Sequence, residues 1–92
     1  MPLFFMFYVY AISSKARNYI YVGLSDDVER RVHQHNSGYE KTTRPYAPFQ
    51  LLLVEEFETR KLAREREKYY KTASGKNKLR KIRSNASAGL PD

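Results

Sequence analysis

Two short runs of β-branched and aromatic residues joined by a polar turn constrain this chain more than any other feature: "YVYAISSKARNYIYVG", Tyr8 to Gly23. Runs of that composition so close together pair most simply with each other, as an antiparallel hairpin. Strands are expected at Phe7 to Ile12 and Tyr19 to Val22, with "SSKARN" as the turn. Pairing them sets Tyr10 near Tyr21. Both runs carry tyrosine where a purely structural strand would do as well with valine, so the phenols ask for a reason.

Downstream, Ser25 or Asp26 can cap a helix. With Asp26 as the cap, Glu29 takes the capping-box position, and two acids suit the positive helix start. Gly38 ends that helix, and "SGYEKTTRPYAPF" has the glycine, prolines and polar groups of a loop. "FQLLLVEEF", Phe49 to Phe57, is nearly continuous in apolar residues and is expected as a third strand, central in the sheet. Thr59 can cap a second helix through "RKLAREREKYYKTA" to Gly75, and "KNKLRKI" offers an optional short basic helix. The pattern reads β-β-α-β-α(-α), an α+β domain over residues 1–83: a small three-stranded antiparallel sheet flanked by helices. "SNASAGLPD", residues 84–92, has too little apolar content to fold and is expected to be a disordered tail.

At 92 residues the chain supports one modest core, which excludes a second catalytic lobe. It has no cysteine, so neither disulfides nor a Cys-based zinc site can hold it together. Seventeen Lys and Arg against ten Asp and Glu leave a formal charge of +7, which favours a polyanionic partner, nucleic acid first. The opening "MPLFFMFYVYAI" lacks a basic leader region and is too short to span a bilayer, so a cytoplasmic protein without membrane association is expected.

The helical periodicity singles out further residues. Val28 and Val32 fix the inner face of the first helix, and Arg31 and His35 fall on the same stripe. An arginine there is costly unless paired or working, because guanidinium does not shed its charge. Arg30, one position round, reads as ordinary solvated charge. In the second helix Leu62 and Ala63 set the inner face and Glu67 follows on or beside it. A structural reading makes the tyrosines half-buried strand residues and joins Arg31 to Glu67 in a partly buried ion pair. A chemical reading notes that a carboxylate can hold a hard cation, an arginine can stabilise charge on a phosphate, and tyrosine or histidine can move a proton.

These residues carry a resemblance. "YVY" at Tyr8 to Tyr10, "YVG" at Tyr21 to Gly23 and "DDVERRVHQHNSG" resemble the GIY-YIG endonuclease superfamily, in particular its small single-domain bacterial members. The likeness runs from Phe7 to about Ile82, with an arginine eight residues after the glycine and a glutamate in an "A-x-x-x-E-x-x-x-K" helix. It implies an active-site pair in Tyr10 and Tyr21, a glycine at Gly23 that turns the chain into the helix, and catalytic roles for Arg31, His35 and Glu67. Glu67 would be the metal ligand, with Lys71 the lysine that follows it. Tyr8 stands where the first motif usually begins with glycine, and Asn77, in "SGKNKLRK", does not match the local pattern of the asparagine in larger members.

The implied function is metal-dependent hydrolysis of DNA phosphodiester bonds, with Mg²⁺ or Mn²⁺, in DNA repair, recombination or restriction of foreign DNA. Lys41, Arg44, Arg60, Lys61, Arg64, Lys68, Lys71, Lys76, Lys78 and Arg80, with Arg66, Lys81 and Arg83, would grip backbone phosphates. Nothing suggests base-edge reading. Two other classes stay open: a non-catalytic nucleic-acid-binding module of the same fold, and a small basic structural protein. A protein partner or homodimer is left open too.

Overall fold

The computed structural model describes residues 5–87. Strands β1 (Phe7–Ser14) and β2 (Ile20–Ser25) form the hairpin. Helix α1 (Val28–Asn36), a short 3-10 turn (Arg44–Tyr46) and strand β3 (Phe49–Phe57) follow, then helices α2 (Arg60–Tyr70) and α3 (Ala73–Ser87). The three strands make one antiparallel sheet in the order β2-β1-β3.

The central strand is therefore β1, and β3, expected in the middle, lies at an edge. Its continuous apolar run has another cause. Pairing with β1 jumps from Ala11↔Leu53 to Ile12↔Leu51, which leaves Leu52 as an extra residue. The bulge breaks the alternation of faces, so neighbouring leucines can be apolar without both faces being covered. Leu51 and Val54 remain 47% and 43% exposed.

Each face of the sheet receives different helices. Val9, Ala11, Ile20 and Val22 pack with Ala63 and Tyr70 of α2 and Leu79 of α3. Tyr10, Ile12 and Phe49 pack on the opposite face with Val28 and Val32 of α1 and with Tyr19 and Tyr21. Full burial of one such side chain stabilises by about 1.5–3 kcal/mol, so two small clusters suffice for a domain of this size without cross-links.

Helix ends depart from the expected positions by a residue or more. Asp27, not Ser25 or Asp26, caps α1 by accepting from Arg30 N at 3.1 Å, while Ser25 Oγ accepts from Asp27 N at 2.9 Å. Thr59 caps α2 as expected, accepting from Leu62 N at 3.1 Å. That helix stops at Tyr70, before Gly75. Thr72 Oγ1 then accepts from Gly75 N at 3.2 Å and starts α3, where a Cβ on Gly75 would collide with the Tyr69 carbonyl oxygen. Only glycine lets the two helices turn so tightly. The last helix is longer than "KNKLRKI" and takes in Ser84 to Ser87 of the stretch expected to be a tail; residues 88–92 lie outside the described residues.

Candidate active site

On the central strand Tyr10 is 1% exposed, and its hydroxyl lies 2.9 Å from His35 Nε2. The other ring nitrogen of His35 lies 2.9 Å from Thr43 Oγ1, whose hydroxyl points to the carbonyl of Glu40 at 3.5 Å. The far end of this chain assigns the protons: Thr43 donates to the carbonyl, accepts from Nδ1–H, and leaves the Nε2 lone pair to accept the Tyr10 O–H. His35 and Thr43 are wholly buried. Burial, and then the charge of Arg31, lowers the His35 pKa, so the ring is neutral near pH 7. Burial pushes the Tyr10 phenol up to about 12, outweighing the hydrogen bond and charge of Arg31, which pull the other way. Tyr10 is thus a protonated donor fixed on a neutral acceptor.

Tyr21 shares the face. Its ring centroid is 6.2 Å from Tyr10 and 4.8 Å from His35, and it is half-buried. Gly23 explains how the Tyr10 ring fits. It sits inside β2, directly opposite Tyr10, and a Cβ there would lie 2.5 Å from the Tyr10 hydroxyl and 2.6 Å from Cζ. The glycine makes room for the phenol; it is not the turn into the helix.

Arg31 comes off the same helix one turn before His35. Nη1 donates to Gln34 Oε1 at 2.6 Å and to Glu40 Oε2 at 3.0 Å. Burial, the largest influence, would lower the guanidinium pKa, but Glu40 and the neighbouring Tyr10 outweigh it and the net shift is upward. The arginine is therefore a fixed positive charge beside Tyr10, and its acidic partner is Glu40, not Glu67.

Glu67 is placed differently from the other four. It lies on the buried stripe of α2 between Ala63 and Tyr70, and those two pack on the face opposite Tyr10 and Tyr21. Periodicity shows that a helix stripe is buried; it does not show against which side of a sheet. Lys71 pairs with Glu67 Oε2 at 3.2 Å and Arg64 with Oε1 at 3.3 Å. Lys71 also lies close to Lys76, whose Nζ donates to the Ile20 carbonyl of β2 at 3.1 Å. That contact ties the start of α3 to the β2 edge of the sheet.

Among the described residues no three His, Cys, Asp or Glu side chains gather as a metal site. Glu67, the carboxylate the family resemblance points to, is 7% exposed, and Arg64 and Lys71 already hold its oxygens.

The basic residues fall into separate groups. Arg64, Lys71, Lys76 and Arg80 cluster near the β2 edge. Arg66 and Lys78 lie on the β3 side around Glu55. Arg60 stacks 4.9 Å over the Phe7 ring, Arg44 Nε donates to the Gly38 carbonyl at 2.8 Å, and Lys41, Lys61 and Lys68 are exposed. Arg66 is engaged structurally: it bonds Glu55 at 2.8 Å and Tyr70 at 3.1 Å, and Tyr70 donates to Glu55 at 2.7 Å. Burial and then Glu55 push the Tyr70 phenol up to about 12.

Sequence reasoning missed Thr43, Glu40 and this Glu55–Tyr70 tie. The first two lie in an irregular loop, where no periodicity marks a buried side. Glu55 carried a signal, an acid on a strand whose register places it toward α2.

A hairpin strand pair, a third antiparallel strand and helices on both faces, with two tyrosines over a buried histidine, define a small GIY-YIG domain. The family model described as the GIY-YIG catalytic domain matches residues 6–80, and the chain belongs to that family. Its relatives include UPF0213 proteins. That of Staphylococcus saprophyticus is 37% identical over 76 residues, covering 82% of this chain and 92% of its own. One from Haloquadratum walsbyi is 40% identical over 72 residues, covering 77% and 80%. The solution NMR structure of a UPF0213 protein from Bacillus halodurans shares the fold, with a TM-score of 0.51, 31% identity and 84% of each chain covered. Among the described residues no helix is long and apolar enough to cross a membrane.

Proposed function

We propose that this protein is a metal-dependent endonuclease that hydrolyses DNA phosphodiester bonds, serving repair, recombination or restriction of foreign DNA. One observation carries the reading: in a chain of this family, Tyr10, Tyr21, Arg31 and His35 meet on one face of the sheet, with the Tyr10–His35–Thr43 chain buried and fully hydrogen-bonded.

The residues divide the work by exposure. Tyr10 is sealed from solvent and committed to His35, so its task is to hold the histidine in one tautomer and the sheet face in one shape. Tyr21, half-buried beside them, is the phenol able to meet an attacking water and orient it in line. Arg31 keeps its charge and faces the phosphate as the pentacovalent state builds negative charge. Glu67 would hold Mg²⁺ or Mn²⁺, which when bound neutralises charge on the phosphate and on the leaving 3′ oxygen. The basic groups around the domain supply sequence-independent attraction to the backbone.

A non-catalytic DNA-binding module is the second reading, and the engagement of both Glu67 oxygens by Arg64 and Lys71 favours it. Supercoiled plasmid incubated with the purified protein distinguishes the two. Nicking with Mg²⁺ or Mn²⁺ that stops in chelator and is lost in Glu67→Gln and Arg31→Ala supports the enzyme. DNA binding without nicking under any divalent ion supports the module.

A further inference from the structure

At the start of β2, on the hairpin side of the site, lies a cleft of about 260 Å³ lined by Asn18, Tyr19, Ile20, Lys76 and Arg80. At ~30 Å³ per water in the liquid, that is room for an anion with part of its hydration shell. No acidic residue lines it among the described residues. Lys76 is half-buried and tethered to the Ile20 carbonyl at 3.1 Å, so its ammonium is held at the mouth and does not sweep through solvent. Arg80 is exposed, with Nη1 resting on Asn77 Oδ1 at 2.9 Å. Lys71 adds a third positive charge nearby. Burial first, and then the neighbouring charges of Arg80 and Lys71, lower the Lys76 pKa. Tyr19 also lines the cleft, and its ring is fixed by stacking on Tyr46, centroids 3.9 Å apart and planes 9° from parallel.

The cleft opens at the start of β2, the strand that carries Tyr21. Tyr19 precedes Tyr21 by two residues, about 7 Å along a strand, a separation of the order of one nucleotide step. We propose that this cleft is a phosphate subsite, in which Lys76 and Arg80 grip the backbone phosphate adjacent to the one presented to Tyr21 and Arg31, while the rigid Tyr19 ring packs against the adjoining sugar. The subsite fixes which phosphodiester along a bound strand lies over the catalytic face. It rests on the nucleic-acid reading above and deepens it by naming where the strand enters.

The test is binding of a short labelled DNA duplex in chelator, where no cleavage can occur, followed by fluorescence anisotropy from low to moderate salt. The log–log salt slope of the parent should shrink by about 0.7–0.9 in Arg80→Gln, the loss of one phosphate contact, and by a similar amount in Lys76→Gln. Arg30→Gln, an equal charge change at an exposed arginine outside the cleft, should keep the parental slope. Melting temperatures accompany each variant, because Lys76 also ties α3 to β2; Arg80, whose one bond is local, carries the decision if Lys76→Gln unfolds. Inorganic phosphate should move the amide resonances of Asn18 and Ile20 in the parent and not in Arg80→Gln. If Arg80→Gln keeps both the parental slope and the phosphate response, the subsite is overturned and the nuclease reading stands. If the parent binds DNA with no salt dependence, the nucleic-acid reading fails and the subsite falls with it.

Discussion

A methyl group at position 23 would claim space that the Tyr10 phenol already fills. In Gly23→Ala the new carbon lies 2.5 Å from the hydroxyl, 2.6 Å from Cζ and 2.8 Å from Cε1, against ~3.5–4.0 Å for a comfortable contact. The ring has little freedom to yield. It stands on the central strand, 1% exposed, with its hydroxyl 2.9 Å from His35 Nε2. Overpacking of this kind costs about 1–3 kcal/mol, and drawing the hydroxyl away from a buried acceptor adds about 1–3 kcal/mol. A combined loss of about 3 kcal/mol lowers Tm by roughly 12–24 °C in a domain of this length. Calorimetric or circular-dichroism melts of parent and variant measure it, with the His35 ring resonances reporting the hydrogen bond. Adding Tyr10→Phe removes the closest contact but leaves the two ring carbons in place, so the double variant should recover only part of the loss. A Gly23→Ala protein that melts with the parent and keeps the parental His35 resonances refutes the argument that position 23 is glycine on account of Tyr10.

Other expectations rest on separate contacts. Because burial lowers the His35 pKa below its unfolded value of about 6.5, the unfolded chain binds more protons in acid; stability should be complete above that value and fall as pH drops below it, and His35→Gln should flatten the Tm profile between pH 7 and 5. Glu67→Gln should abolish metal-dependent nicking yet change stability by no more than about 1 kcal/mol, since its partners Arg64 and Lys71 are 53% and 55% exposed, and denaturant midpoints beside nicking rates check both halves. Arg31→Ala should slow cleavage a hundredfold or more, about 3–4 kcal/mol for one lost charge-stabilising donor, read in single-turnover assays on folded protein. Glu55→Gln should destabilise by about 1–3 kcal/mol, because it disturbs the bonds to Arg66 and Tyr70, while the cleavage rate of the folded fraction stays parental.

Strand composition and helix periodicity made the three strands, the first two helices and the grouping of Tyr10, Tyr21, Arg31 and His35 legible from residues alone. Local patterns report local facts, and the errors fall where the answer is not local. Sheet order depends on which strand pairs on both sides, and a bulge at Leu52 let an edge strand carry an interior composition. The helix stripe holding Glu67 was read as buried, but the choice of sheet face depends on the crossover from β3, which no spacing within α2 records. The Arg31–Glu67 ion pair of the purely structural reading does not form, and the actual partner, Glu40, sits in a loop whose path only the folded chain determines. Gly23 drew the conventional explanation for glycine, backbone freedom, when its role is the absence of a side chain.

The charged groups at the centre of the site already have understudies. Glu40 occupies Arg31 with a carboxylate where an anionic phosphate would bind, and Lys71 and Arg64 occupy the Glu67 oxygens with cations. On the nuclease reading, a DNA phosphate arriving here would exchange ion pairs and not create them, so most of the attraction it feels would be matched by attraction it displaces. The centre would then be a poor glue for DNA at rest, with retention left to the cationic periphery. What the exchange leaves undiminished is sensitivity to charge that grows during reaction, since a carboxylate on Arg31 is a single negative group and a pentacovalent phosphate carries more. A nuclease site arranged in this way would bind its ground state loosely and reserve its preference for the moment of bond breaking.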